Sequence, residues 1–306
     1  MKVENITGIA VYGMKTSVIF CLSVLFLLSS CSGSRNNAER EVILLNENYL
    51  ESVPVEEVFS VVKDAVKLQD DTSFVLNSIK KIVGIEDGIY LTDGTVICHY
   101  AQDGCLASYI SRRGGRGPGE YVGIMDFDID GDIVYVLDKN KKFLKCDSAG
   151  NLIQEKMLGF YPASFMVYGD LIILTSAYQE PGNKFIVFDK RTLDEKNSYY
   201  PIEKNEVTWR HFMEQSNFFR YEDTILFHEP MNCDIYAICK DTVTVKYSFD
   251  FWGHNAHETF WKQKYRNVFA INQDATSNNY CFGTPCYAES DKSIIMTYRD
   301  GAFYEI

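Results

Sequence analysis

From Ile79 onward the chain alternates short apolar runs with Asp-Gly, Gly-Asp and Asn punctuation, and the runs fall into groups of four. The first group reads Ile79 to Ile85, Ile89 to Asp93, Val96 to Tyr100 and Leu106 to Ile110. The second reads Met125 to Ile129, Ile133 to Asp138, Lys142 to Asp147 and Leu152 to Leu158. The third reads Ser164 to Tyr168, Leu171 to Thr175, Lys184 to Asp189 and Asn197 to Ile202; the fourth reads Phe218 to Tyr221, Thr224 to Phe227, Asp234 to Ile238 and Val243 to Phe249. A fifth starts with Cys286 to Glu289 and Ser293 to Tyr298 and stops within Ala302 to Ile306. Runs of this length bounded by turn residues read as strands, and no amphipathic helix pattern separates one group from the next. Meanders joined head to tail in this way predict an all-β fold of four-stranded antiparallel blades arranged radially, a β-propeller. An immunoglobulin-like sandwich series competes with it and would require Greek-key crossovers instead of repeated meanders.

The segment before Ile79 follows other rules. Ser17 to Leu28 is almost unbroken apolar sequence, preceded by Lys15 and closed by Ser29 and Ser30, in the order of a signal peptide and short for a membrane span. Leu28 to Cys31 resembles the lipobox of bacterial lipoproteins, in which the cysteine is lipidated and becomes the first residue. The expected division is therefore a signal over 1–31 with lipidation at Cys31, a polar tether over 32–41, and a propeller over 42–306. Ser32 follows Cys31 where an inner-membrane-retaining Asp would stand, which points to the outer membrane and leaves the leaflet open. Val42 to Leu45 forms one more strand candidate, and residues 42–50 could close the ring as an added strand.

Composition narrows the partners. The chain is 46% hydrophobic and 14% aromatic, with twenty Tyr, twenty Phe and only seven Pro, a balance that suits pleated, half-buried surfaces. Its net charge is −12, and −13 once residues 1–31 with Lys2, Lys15 and Glu4 are removed. Such a body repels nucleic acid and anionic lipid, so contact with the membrane is expected through the lipid alone. Seven cysteines lie outside the signal without zinc spacing, and Cys281 with Cys286 is the one pair worth testing for a disulfide.

The order of a lead-in, Ile82 to Asp93, the glycine loop Gly115 to Tyr121, the Asp126 to Asp130 strand and the following blade resembles the six-bladed, NHL-like β-propeller lipoproteins of Gram-negative bacteria. The resemblance is specific mainly over 79–158. It implies a six-bladed propeller, of which five units are visible here, and brings no uniform biochemical activity with it.

Candidate chemistry gathers where one blade's outer strand crosses to the next blade's inner strand. Arg112 to Gly119 invites a phosphate-loop reading, but it lacks Gly-Lys-Ser/Thr and no helix follows, so its glycines are expected to serve the crossing itself. Arg113 and Arg116 could still form a basic spot for a carboxylate or phosphate, or pair with acids such as Glu120. Two insertions fall at equivalent crossings. Tyr200 to Ser216 carries Trp209, Arg210 and His211; Phe251 to Tyr280 carries Trp252, His254 and Trp261, with a short helix expected around His257 to Phe269. These tryptophans could stack sugars or pack peptides, or could simply anchor the insertions. His254 and His257 could meet on one helical turn beside Glu258, though no His-Glu-x-x-His occurs. Asp126, Asp128, Asp130 and Asp132 alternate with apolar residues, but a calcium loop counted from Asp126 places Leu137 where Glu is required.

The expected function is that of a lipid-anchored, monomeric envelope module binding a glycan, a peptide or another envelope protein on the crossing face. The ligand-binding residues would be Arg113, Arg116, Trp209, Arg210, His211, Trp252, His254 and Trp261, with no cofactor and no catalytic set. Two alternatives stand beside it. One is a lactonase-like metal-dependent hydrolase or lyase, which needs inner-strand acids from three blades; the other is a scaffold of an outer-membrane complex.

Overall fold

The computed structural model describes residues 41–45, 66–71, 74–115, 117–177, 181–202, 218–228, 232–240, 242–291 and 294–300. Strand β1 (Glu41–Leu44) comes first, and four meanders follow. The first sheet holds β2 (Lys81–Ile85), β3 (Gly88–Thr92), β4 (Ile97–Ala101) and β5 (Leu106–Ile110). The second holds β6 (Ile124–Asp130), β7 (Ile133–Asp138), β8 (Lys142–Asp147) and β9 (Leu152–Met157). The third holds β10 (Pro162–Tyr168), β11 (Leu171–Ser176), β12 (Gly182–Asp189) and β13 (Glu195–Ile202). The fourth holds β14 (Phe218–Tyr221), β15 (Thr224–His228), β16 (Asp234–Cys239) and β17 (Thr242–Asp250). Helices α1 (Glu258–Lys262) and α2 (Val268–Ser277) precede a two-stranded sheet of β18 (Cys281–Glu289) and β19 (Ile294–Asp300). Every meander strand lies within a few residues of its sequence expectation, because the Asp-Gly and Gly-Asp turns fix where each run must reverse.

The sheets stack in chain order, each burying a face against the next. Tyr90, Ile97 and Ile110 of the first sheet pack on Phe127, Val134 and Leu144 of the second. Tyr135 and Phe143 of the second meet Phe165, Ile172 and Phe188 of the third. Phe185 and Val187 of the third meet Ile225, Phe227 and Tyr236 of the fourth, and Leu226 and Phe249 of the fourth meet Tyr287 and Met296 of the fifth. Phe127, Phe143, Phe165 and Phe185 are each fully buried, and each contributes about 1.5–3 kcal/mol through removal from water. First strands of successive sheets touch one another, β2 with β6, β6 with β10 and β14 with β18, so they form the inner wall. The result is the propeller arrangement, with four four-stranded blades among the described residues.

Two further details complete the sheets. Strand β1 pairs in parallel with β17, from Glu41 opposite Tyr247 to Leu44 opposite Asp250, and so adds a fifth, outermost strand to the fourth sheet. Parallel pairing there needs no tight turn, only a distant segment with a matching apolar edge. The face of the first sheet turned away from the second is covered by the lead-in: Leu68, Phe74 and Leu76 pack on Leu91, Val96, Cys98 and Tyr100. Residues 1–40, including Cys31 and all of the expected tether but Glu41, which opens β1, lie outside the described residues, as does the Cys286 side chain; Cys281 is buried. Among the described residues no helix is long and apolar enough to cross a membrane.

Candidate functional site: the crossing rim

The crossings 111–123 and 158–161, from outer to inner strand, meet the turns between second and third strands, which places both on one rim. In the crossing 111–123, Ile124 N–H donates to Gly94 O (2.8 Å) in the β3–β4 turn, and Lys139 N–H of the β7–β8 turn donates to Gly123 O (2.9 Å). The Asp138 carboxylate accepts from Val122 N (2.9 Å) and Gly123 N (3.1 Å). In the crossing 158–161, Leu158 N–H donates to Lys141 O (2.8 Å), and Tyr161 O accepts from Ala177 N (2.7 Å).

The glycine loop has an occupant of its own. Gly115 N (2.9 Å) and Gly117 N (3.1 Å) both donate to Glu120 Oε2, so the amides that could cradle a phosphate hold a carboxylate from the same loop. A Cβ on Gly114 or Gly117 would sit about 3.0 Å from the Glu120 carboxyl, so glycine lets that carboxyl lie close against the turn. Lys142, 5% exposed, reaches in from β8 and donates to Gly117 O (2.9 Å) and Glu120 O (3.0 Å). Tyr121 is buried beneath; its hydroxyl accepts from Arg112 N (3.2 Å) and donates to Thr95 O (2.9 Å). The amide bonds from Gly115 and then Gly117 hold Glu120 below the usual carboxylate range, against a smaller opposing effect of desolvation and with help from Lys142. Burial pushes the Tyr121 phenol up to about 12. Of the two expected arginines, Arg113 is exposed on this loop and Arg116 lies outside the described residues.

The insertion 251–280 is organised by packing. Trp252 (φ +54°) and Gly253 (φ +78°) make a left-handed turn closed by His254 N–H to Phe251 O (2.8 Å). Cys281 N–H then donates to His254 O (2.8 Å), stapling the turn to β18. Phe260, Tyr265, Ile271 and Ala275 of the helical part form a small core with Trp261 and Tyr280 packed against it. Trp261 donates its indole N–H to Ala256 O (3.2 Å), and Trp252 lies edge-on to Tyr298 at 6.1 Å with its indole nitrogen buried and unpartnered among the described residues. Both tryptophans therefore anchor the insertion, while His254 is exposed beside them. His254 and His257 do not share a helical turn: His257 sits at the extended N-cap of α1, edge-on to Tyr280 at 5.8 Å, and His254 lies in the preceding turn. Thus Trp252, His254 and Trp261 come together in one insertion and Arg113 belongs to another crossing. Trp209, Arg210 and His211 lie outside the described residues.

Sequence reading missed the apolar character of this rim. Each of the three crossings among the described residues exposes a large apolar side chain: Val122 (45%), Tyr161 (38%) and Phe269 (70%). It also missed how the aspartates of β6 are used. Asp126 accepts from Lys81 Nζ (2.7 Å) and from Phe165 N (2.9 Å), and Asp128 accepts from Val167 N (2.8 Å), so both carboxylates tie one inner strand to its neighbours. Arg220 of β14 continues the link by donating to Val167 O (2.8 Å). Burial raises the Asp128 carboxyl despite Lys81 and its amide donors. Among the described residues no group of three His, Cys, Asp or Glu side chains is placed to hold a metal ion.

The family described as "Domain of unknown function (DUF4934)" matches residues 41–305. Among solved structures, a protein of Bacteroides fragilis described as exported superimposes with a TM-score of 0.63 at 17% identity, covering 77% of this chain and 69% of that one. A member of the DUF4221 family from Bacteroides vulgatus gives a TM-score of 0.44 at 13% identity, over 63% of this chain and 64% of that one. The first likeness supports the fold. No curated protein matches the chain.

Proposed function

The chain belongs to the DUF4934 family, and we propose that it is an exported propeller of the six-bladed type, lipid-anchored through Cys31 to the outer membrane, whose crossing rim binds a peptide or protein of the envelope. The observation that carries the binding role is the exposure of Val122, Tyr161 and Phe269, one on each described crossing, among the twelve large apolar side chains exposed on the described residues. Arg113 and His254 would supply a polar margin to that rim. Aliphatic and aromatic groups spread over several crossings suit a polypeptide surface better than a single stacked sugar. Export and anchoring are supported by the apolar run before Ser29 and by Cys31 in lipobox register, and the Bacteroides fragilis protein of similar fold is itself described as exported.

The test is a photo-crosslinking residue placed at positions 122, 161 and 269 in turn, with position 153 on the exposed outer strand β9 as control. All three rim positions are expected to capture the same envelope protein and position 153 none. Capture at 153 alone, or different partners at each rim position, would remove the shared rim. Cys31→Ser should shift the protein from the membrane to the soluble fraction.

A further inference from the structure

The rim opposite the crossings carries a cleft that nothing above uses. It opens between the first and second sheets, where the β2–β3, β4–β5 and β6–β7 turns face one another. An outer cleft of about 930 Å³ is walled by Glu86, Asp87, Asp103 and Asp132, and among the described residues no lysine or arginine lines it. It shares Asp87 and Asp132 with an inner chamber of about 300 Å³ whose floor is formed by Tyr90 and His99. These two residues are directly opposed across β3 and β4 and stack face to face, centroids 4.3 Å apart and planes within 5°.

The floor offers unpaired polar atoms. Tyr90 is 5% exposed, yet its hydroxyl has no hydrogen-bond partner among the described residues. His99 Nε2 is buried and likewise unpartnered. Buried polar groups are almost always paired, so the orphaned His99 Nε2, beside a Tyr90 hydroxyl that makes no hydrogen bond among the described residues, marks a place that a ligand or water must complete. Burial pushes the Tyr90 phenol up, with the charges of Asp87 and Asp132 adding to it.

We propose that this cleft binds a primary alkylammonium group, presented by a free polyamine or by a lysine side chain. An ammonium has three donors and no acceptor, and the chamber answers with the carboxylates of Asp87 and Asp132 and with the lone pairs of Tyr90 and His99. The chamber has the volume of about ten waters, enough for a hydrated alkylammonium arm, and the acidic outer cleft continues the path for the rest of a cationic chain. A metal ion is a poorer match, because the acids sit on three separate turns and form no three-ligand group among the described residues.

The test is calorimetric titration of the full chain in detergent at low salt with spermidine, with blocked lysine and with calcium chloride. In parallel, the ring-proton signal of His99 is followed by NMR. One-site binding of an amine that moves the His99 signal is expected. Spermidine alone binding identifies a free polyamine as the source; blocked lysine binding identifies a side chain. Asp87→Asn combined with Asp132→Asn should weaken binding at least about tenfold, as expected when charged hydrogen bonds are lost. Tyr90→Phe should weaken it several-fold, and Asp170→Asn, on the β10–β11 turn of the same rim, should leave it unchanged. Absence of amine binding, equal weakening by Asp170→Asn, a still His99 signal, or calcium binding in place of the amines would each overturn the assignment.

Discussion

The crossings at 111–123 and 251–280 perform the same task, returning the chain from an outer strand to the next inner strand, with opposite physics. In the first, polar bonds do the holding: Glu120 gathers the Gly115 and Gly117 amides, and Lys142 gathers two carbonyls. In the second, a private apolar core of Phe260, Tyr265, Ile271 and Ala275 holds two short helices. Length decides between them. A crossing of a dozen residues cannot bury enough apolar surface to order itself, so it depends on satisfied backbone groups and on glycine. The insertion is long enough to fold on its own side chains, and hydrogen bonds cap its second helix, with Asn267 accepting from Ala270 N.

The comparison breaks first at Phe260. Phe260→Ala removes a 1% exposed ring that touches Trp261, Tyr265 and Tyr280, at a cost of about 3–5 kcal/mol. The loss should be local: amide exchange in α2 should accelerate while exchange in β6 to β9 holds steady. Equal acceleration in both would mean that the insertion is part of the blade core. Lys142→Met should cost less, about 2 kcal/mol, by leaving the carbonyls of Gly117 and Glu120 unpaired. Its effect should reach the whole molecule, because Lys142 belongs to β8; a lowered unfolding midpoint in urea measures it, and an unchanged midpoint would show that water replaces the ammonium.

This division also explains what could be read before any coordinates. Blades were legible because period-two apolar runs and Asp-Gly turns are local signals, and β6 or β12 needs nothing distant to be recognised. The place of β1 was not legible, since its partner β17 lies about two hundred residues away and a four-residue apolar run carries no address. Within the rim, Glu120 was visible as an acid near glycines, but its capture of Gly115 and Gly117 depends on the turn's path. Trp252 and Trp261 stood out by residue type and pack against buried clusters; Val122, Tyr161 and Phe269 are single apolar residues in loops and carry no pattern. Tyr90 and His99 read as ordinary strand positions until the register set them opposite each other.

The smallest effect separates the crossings by pH. Glu120 titrates below the usual 4.5 in the folded chain, because the amides of Gly115 and Gly117 bind its charged form. A depressed folded value means that its contribution is present above pH 4.5 and is lost as pH falls through the folded value. In the insertion, burial and then donation to Asp274 raise the Tyr265 phenol above its ordinary 10. The neutral phenol is the folded form, so its contribution holds below pH 10 and is lost above it. The unfolding-midpoint gap between the parent chain and Glu120→Gln should therefore narrow only on the acid side, and the gap for Tyr265→Phe only on the alkaline side. A Glu120 gap that stays constant down to pH 3 would show that the loop is held by its glycine geometry and the Lys142 bonds, and that the carboxylate's charge is incidental to the crossing.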